Sequence, residues 1–144
     1  MKKRIAYLLV AIFLVAVFLN LLWEVSQSSL YDWQKEPLKN DVNFYVGRIL
    51  KSTLGDGIFI LIIFLLISAY RRGFIWINKT KRLDYILLST FGLVFAALIE
   101  IKAQIYNSWH YGEIMPTVFG LGITPLVQLA ITGTLTLIIV RKLE

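Results

Sequence analysis

Residues 5–23, IAYLLVAIFLVAVFLNLLW, run for nineteen positions without a charge and with one strongly polar side chain, Asn20. As a helix at 1.5 Å per residue this stretch reaches ~28 Å, about the thickness of a bilayer's hydrocarbon core. Lys2-Lys3-Arg4 before an apolar run also fits a signal peptide, but the run is long and no small-x-small cleavage site follows, so it reads as an uncleaved anchor. Two further apolar stretches, 54–70 and 85–101, carry one acidic residue each, Asp56 and Glu100. A fourth, 117–140, is uncharged but interrupted by Gly120, Gly122 and Pro125. Thr124-Pro125 has the form of an N-cap with an N1 proline, so residues 115–123 are expected as a separate short or re-entrant piece.

The rest of the composition agrees. Of 144 residues 58% are hydrophobic and only 17% charged, the charges being crowded between the uncharged runs, which is unlike a soluble domain. The expected fold is all-α: one polytopic membrane domain over 1–144, a four-transmembrane-helix bundle, with no repeat or second domain. Cysteine is absent, which excludes disulfides, thiol nucleophiles, cysteine-ligated zinc and iron–sulfur clusters.

Lysine and arginine set the expected orientation. With the N-terminus cytoplasmic, the inside segments hold Lys2, Lys3, Arg4, Arg71, Arg72, Lys79, Lys81, Arg82, Arg141 and Lys142, against Lys35, Lys39, Arg48, Lys51 and Lys102 outside. That bias favours both termini in the cytoplasm and residence in the cell (inner) membrane. Acids run the other way, with Asp84 and Glu144 inside and Glu24, Asp32, Glu36, Asp41, Asp56, Glu100 and Glu113 outside. Topology therefore accounts for the net charge of +6, and no basic module is left over to bind nucleic acid. The long outer connection, 25–53, carries Tyr31, Trp33, Phe44 and Tyr45 and is expected to lie at the headgroup level, with a short helix over 42–51.

Ionisable groups at or within a hydrocarbon core need a partner or a purpose. Asn20, Glu24, Gln27 and Tyr31 follow each other at steps of four, three and four, which places all four on one helix face if the helix continues past Trp23. Ser89, Gly92, Ala96 and Glu100 share a face of the third span, and Thr124, Gln128, Thr132 and Thr136 a face of the fourth. Asp56, just after Ser52-Thr53, is expected in the first turn of its helix, where the dipole favours a carboxylate. Glu24, Asp56 and Glu100 then meet at one end of the bundle and are the candidate catalytic groups. Asn20, Glu24, Gln27, Tyr31, Asp56, Glu100, Trp109, Tyr111 and Gln128 are the candidate binding residues of a shared outward cavity. The alternative for each acid is an interfacial carboxylate, with Glu100 paired to Lys102, Arg48 or Lys51. A lone His110 makes no metal site, and no cofactor motif is present.

Trp23-Glu24 with Gln27 and Tyr31, then Gly55-Asp56, a lone Glu100, Trp109-x-Tyr111, Met115-Pro116, and Pro125 with Gln128 resemble a set of small bacterial four-span membrane proteins. The resemblance implies the fold and no activity. A looser similarity to emopamil-binding-like proteins implies only that acids inside a small bundle can do proton chemistry on lipids. Three functions are consistent with these residues: an accessory subunit packed against a membrane protein partner, a cavity that binds or transports a lipid headgroup or small cation, and an intramembrane lipid or isoprenoid isomerase or cyclase. In the last, Glu100 is the acid and Asp56 the ionised base. The first is the leading expectation, because no nucleophile dyad, phosphate loop or metal cluster is present.

Overall fold

The computed structural model describes residues 2–143. Glu144, counted above among the inside acids, lies outside the described residues, as does the side chain of Lys2. The chain forms α1 (Lys2–Gln27), a 3-10 turn (Ser28–Leu30), α2 (Val42–Tyr70), a second 3-10 turn (Ile75–Ile77), α3 (Arg82–Ile105), a hairpin of β1 (Thr117–Val118) and β2 (Leu121–Gly122), and α4 (Ile123–Leu143). All four helices are long and apolar enough to cross a membrane. Their outward rows are what a lipid-covered surface requires: Val10, Leu14, Phe18 and Leu22 of α1 are each more than half exposed. A water-soluble bundle buries such a row. This is an all-α, multi-pass membrane bundle.

The helices form an up-down-up-down ring in which α1 packs on α2 and α4, and α3 packs on α4. Contact between α2 and α3 is sparse. Gly92 explains why α3 and α4 approach so closely: a Cβ there would stand 2.6 Å from the backbone nitrogen of Ala130.

One half of the bundle is a dry core. Ile12, Ile60, Ile63, Phe64, Ile67, Leu88, Leu137 and Val140 are fully or almost fully buried there. The connection from α2 to α3 closes that end. Arg72, in the left-handed region, and Gly73 end α2 with Gly73 N–H donating back to Ser68 O at 2.8 Å. The chain then turns Trp76 inward, where its Nε1 donates to Ser68 Oγ at 2.8 Å and its ring lies 5.6 Å from Phe64. Asp84, fully buried, accepts from Lys81 N–H at 2.8 Å and pairs with Arg71 Nε at 3.3 Å. The start of α1 and the end of α4 also lie at this end, so the other end carries the two longer connections.

Several local expectations are corrected. α1 ends at Gln27, so Tyr31, expected on the same helix face as Asn20, Glu24 and Gln27, lies instead in extended backbone bridged to Tyr111. The helix expected over 42–51 is the start of α2 itself, capped by Asp41, whose side chain accepts from Phe44 N–H at 2.8 Å. Asp56 is therefore ~four turns into a continuous helix, not in its first turn, and the dipole of that terminus does not reach it. The fourth span starts at Ile123, not 117, because residues 117–122 pair as a hairpin. Its two turn residues, Phe119 and Gly120, both have positive φ, as a tight primed turn needs, so 115–122 is separate but extended, not a re-entrant helix. Thr124 falls inside α4, and its hydroxyl approaches Met115 Sδ at 3.4 Å.

Candidate functional site

The polar stripe of α1 converges on one side chain of α4. Gln128 is buried, and its Nε2 lies 3.0 Å from Asn20 Oδ1, 2.9 Å from Glu24 Oε1 and 2.7 Å from Asp56 Oδ2. An amide nitrogen has two hydrogens, so three acceptors from two neighbouring helices compete for two donors. The orientation of the amide is imposed by a relay: Trp23 Nε1 donates to Gln27 Oε1 at 3.2 Å, and Gln27 Nε2 donates to Gln128 Oε1 at 2.9 Å. With its oxygen engaged by Gln27, Gln128 turns its nitrogen to the acids. Thr132, one turn further along α4, sets the base of the cluster, with its hydroxyl 3.2 Å from Asn20 Oδ1. Asn20 is itself tied to Ala16 O at 2.9 Å.

A second cluster faces the first. Glu100 of α3 is buried and accepts a hydrogen bond from the Tyr111 hydroxyl. Trp109 Nε1 is buried beside Glu100 without closing a hydrogen bond. Tyr31, from the α1–α2 connection, sets its ring edge-on to Trp109 at 6.2 Å and tilted against Tyr111 at 6.0 Å, both on the α3–α4 connection. Backbone bonds strap those loops together: Asp32 N–H to His110 O at 2.9 Å and Gly112 N–H to Leu30 O at 2.7 Å. Burial, followed by the hydrogen bond to Glu100, pushes the Tyr111 hydroxyl up to about 12. Burial and the nearby carboxylates raise Tyr31 as well, so both phenols stay protonated donors at neutral pH.

Between the clusters, in the sparse seam of α2 and α3, lies a cavity of about 240 Å³. Glu24, Asp56, Gln128 and Glu100 contribute its polar lining, and Phe59, Ile99 and Leu129 its apolar lining. Phe59 and Phe95, with centroids 5.5 Å apart, bridge α2 and α3. Leu38, almost fully buried, brings the α1–α2 connection into the lining. Arg48 and Lys51 line it from the first turns of α2. The Arg48 guanidinium stacks over Trp109 at 5.2 Å and donates to Ser108 O at 3.3 Å.

The structure thus brings Asn20, Glu24, Gln27, Asp56 and Gln128 into one hydrogen-bonded cluster and Tyr31, Glu100, Trp109 and Tyr111 into another. Glu100 forms no ion pair with Lys102, Arg48 or Lys51 among the described residues. No group of three acidic or histidine side chains among the described residues is arranged to hold a metal ion. Chemically, the walls offer carboxylate acceptors, oriented amide and phenol donors, and apolar surface. Sequence reasoning missed the lining roles of Trp33, Leu38 and Phe59, and considered Arg48 and Lys51 only as partners for Glu100. With α2 extended back to Val42, the spacing of Arg48, Ser52, Asp56 and Phe59 is itself the signal of a shared face.

No family model, curated protein or solved structure matches the chain.

Proposed function

We propose that this chain is a cell-membrane protein with both termini in the cytoplasm and that its cavity binds, from the outer side, the polar end of an amphiphile: a lipid headgroup or a small organic cation. One observation carries the reading. A cavity holds three carboxyl groups from three helices, and none of them is paired to a basic side chain among the described residues. Burying such groups unpaired is costly, and a bound molecule rich in hydrogen-bond donors or positive charge offsets that cost. The lysine and arginine bias between the two ends supports the orientation.

The apolar half of the bundle supports binding over passage, since Ile60, Leu88 and Leu137, fully buried in its core, are not part of the cavity lining. An accessory subunit would use its polar stripes against a partner, whereas these turn inward around open volume. The acid/base enzyme reading uses the same walls and begins with the same bound amphiphile, so binding is the step to test first. Thermal unfolding of the detergent-purified chain, titrated with dodecylamine, tests it. Saturable stabilisation that is lost in both Glu24→Gln and Asp56→Asn supports the reading. No stabilisation, or one that survives both changes, overturns it.

A further inference from the structure

The cavity is lined by both signs of charge, sorted by position. Arg48 and Lys51 precede Asp56 on α2 by eight and five residues, which puts them ~12 and ~8 Å nearer the long-loop end along the helix axis. Neither forms an ion pair with a cavity acid among the described residues: Arg48, which attracts Glu24 only from a distance, stacks on Trp109 and donates to one carbonyl, and Lys51 forms no hydrogen bond or ion pair. Side chains this long can reach an acid one or two turns away, yet neither closes an ion pair with one among the described residues. A molecule with the reverse order of charges, anion toward the mouth and cation at depth, satisfies both. Trp109, with the Arg48 guanidinium over its ring, adds at Nε1 a buried donor beside Glu100 that closes no hydrogen bond.

The size and the apolar wall narrow the chemistry further. About 240 Å³ lies below the range of roughly 300–1,000 Å³ that holds whole drug-sized ligands, so the cavity takes a headgroup and leaves acyl chains outside. α2 and α3 are the least closely packed adjacent pair of the ring, bridged by Phe59 and Phe95, and that side is where the chains would leave toward lipid. Resting on the binding reading above, we infer that the occupant is a zwitterionic phospholipid headgroup of the ethanolamine type. Its ammonium lies among Glu24, Asp56 and Glu100, and its phosphate lies against Arg48 and Lys51. A primary ammonium suits the deep end because it donates three hydrogen bonds to carboxylates, while Arg48 can grip a phosphate through paired N–H groups.

Probes that carry each part alone test this on the full chain in detergent, by thermal stabilisation and tryptophan fluorescence. They are dihexanoyl-phosphatidylethanolamine, dihexanoyl-phosphatidylglycerol (phosphate without amine), dodecylamine (amine without phosphate) and glycerophosphoethanolamine (no tails). The ethanolamine lipid is expected to bind at least about tenfold tighter than each of the others. Lys51→Gln, at an exposed position, and Arg48→Gln should weaken the ethanolamine lipid while leaving dodecylamine unchanged, and Asp56→Asn should weaken both. Dodecylamine binding as tightly as the ethanolamine lipid, indifferent to Arg48 and Lys51, overturns the zwitterion and leaves the cation-binding reading standing. Equal binding of glycerophosphoethanolamine overturns the membrane source. Failure of every probe, or binding untouched by Asp56→Asn, removes the underlying reading as well.

Discussion

Gln128 on α4 donates to Asp56 on α2 across 2.7 Å, joining the two helices that face each other diagonally through the bundle. The same amide reaches Asn20 and Glu24, so one neutral side chain holds three helices in register at the depth of the cavity.

Gln128→Leu is therefore expected to be the most damaging single change among the cavity residues. It keeps the volume but leaves Asn20, Gln27 and Asp56 short of a partner in a buried site. Unsatisfied buried groups cost ~1–3 kcal/mol each, and hydrogen bonds between membrane helices average nearer ~0.6, so a loss of at least ~2 kcal/mol is expected. Equilibrium unfolding in detergent measures it, and an unchanged midpoint would remove Gln128 from its central role.

How much of this was legible depended on whether a face lay within one uninterrupted element. Asn20, Glu24 and Gln27 sit in a single long helix, so their spacing alone placed them together. Asp56 was misplaced because Gly55 and Gly57 resemble a helix boundary, while hydropathy falls across Arg48 and Lys51 although the helix continues from Val42. The role of Gln128 as the meeting point depends on which helices are neighbours, and composition does not carry that. The hairpin at 117–122 was hidden because an apolar stretch with glycines reads equally as a broken helix or a tight turn.

Gly92→Ala tests the close approach of α3 and α4. The added methyl would meet the backbone of Ala130 at 2.6–2.7 Å, and backbone cannot swing aside. Overpacking of this kind costs ~1–3 kcal/mol. Gly47→Ala is the control: its Cβ meets nothing within 4 Å, so replacing glycine within α2 should be neutral or stabilise by up to ~1 kcal/mol. Equal effects of the two changes in thermal unfolding would argue against the packing described.

Tyr111 predicts an alkaline limit. Its hydroxyl is raised to about 12 in the fold from an ordinary value near 10, chiefly by burial and then by Glu100. A raised acid contributes its stability in full below about pH 10 and loses it as pH rises through about 12. The difference in melting temperature between the native chain and Tyr111→Phe should therefore be constant from pH 8 to 10 and shrink toward pH 12. A difference that stays constant from pH 8 to 12 would contradict the burial of this hydroxyl against Glu100.

The native chain has no cysteine, so single introduced cysteines report topology directly. Gln34, Glu36 and Lys39 are exposed on one connection, and Asn78 and Lys79 on another; Trp76 and Ile77 are too buried to use. A membrane-impermeant maleimide on intact cells should label the first three positions and spare the last two. The reverse pattern would turn the cavity toward the cytoplasm.

Glu100→Gln and Asp56→Asn separate a binding role from a structural one. Glu100 is held by the Tyr111 hydroxyl and Asp56 by the Gln128 amide, both neutral donors that an amide oxygen can also accept from. Neither substitution strands a cation, and each removes a charge from a low-dielectric site, so melting temperature should stay level or rise slightly while stabilisation by added ligand disappears. Structural ion pairs behave otherwise: losing the carboxylate leaves a buried cation, lowers stability, and is repaired by neutralising the partner. Melting curves of Glu100→Gln alone and combined with Lys102→Gln, Arg48→Gln or Lys51→Gln distinguish the cases. Destabilisation by Glu100→Gln that any of the three second changes repairs would make Glu100 part of the packing and remove it from the ligand-binding wall.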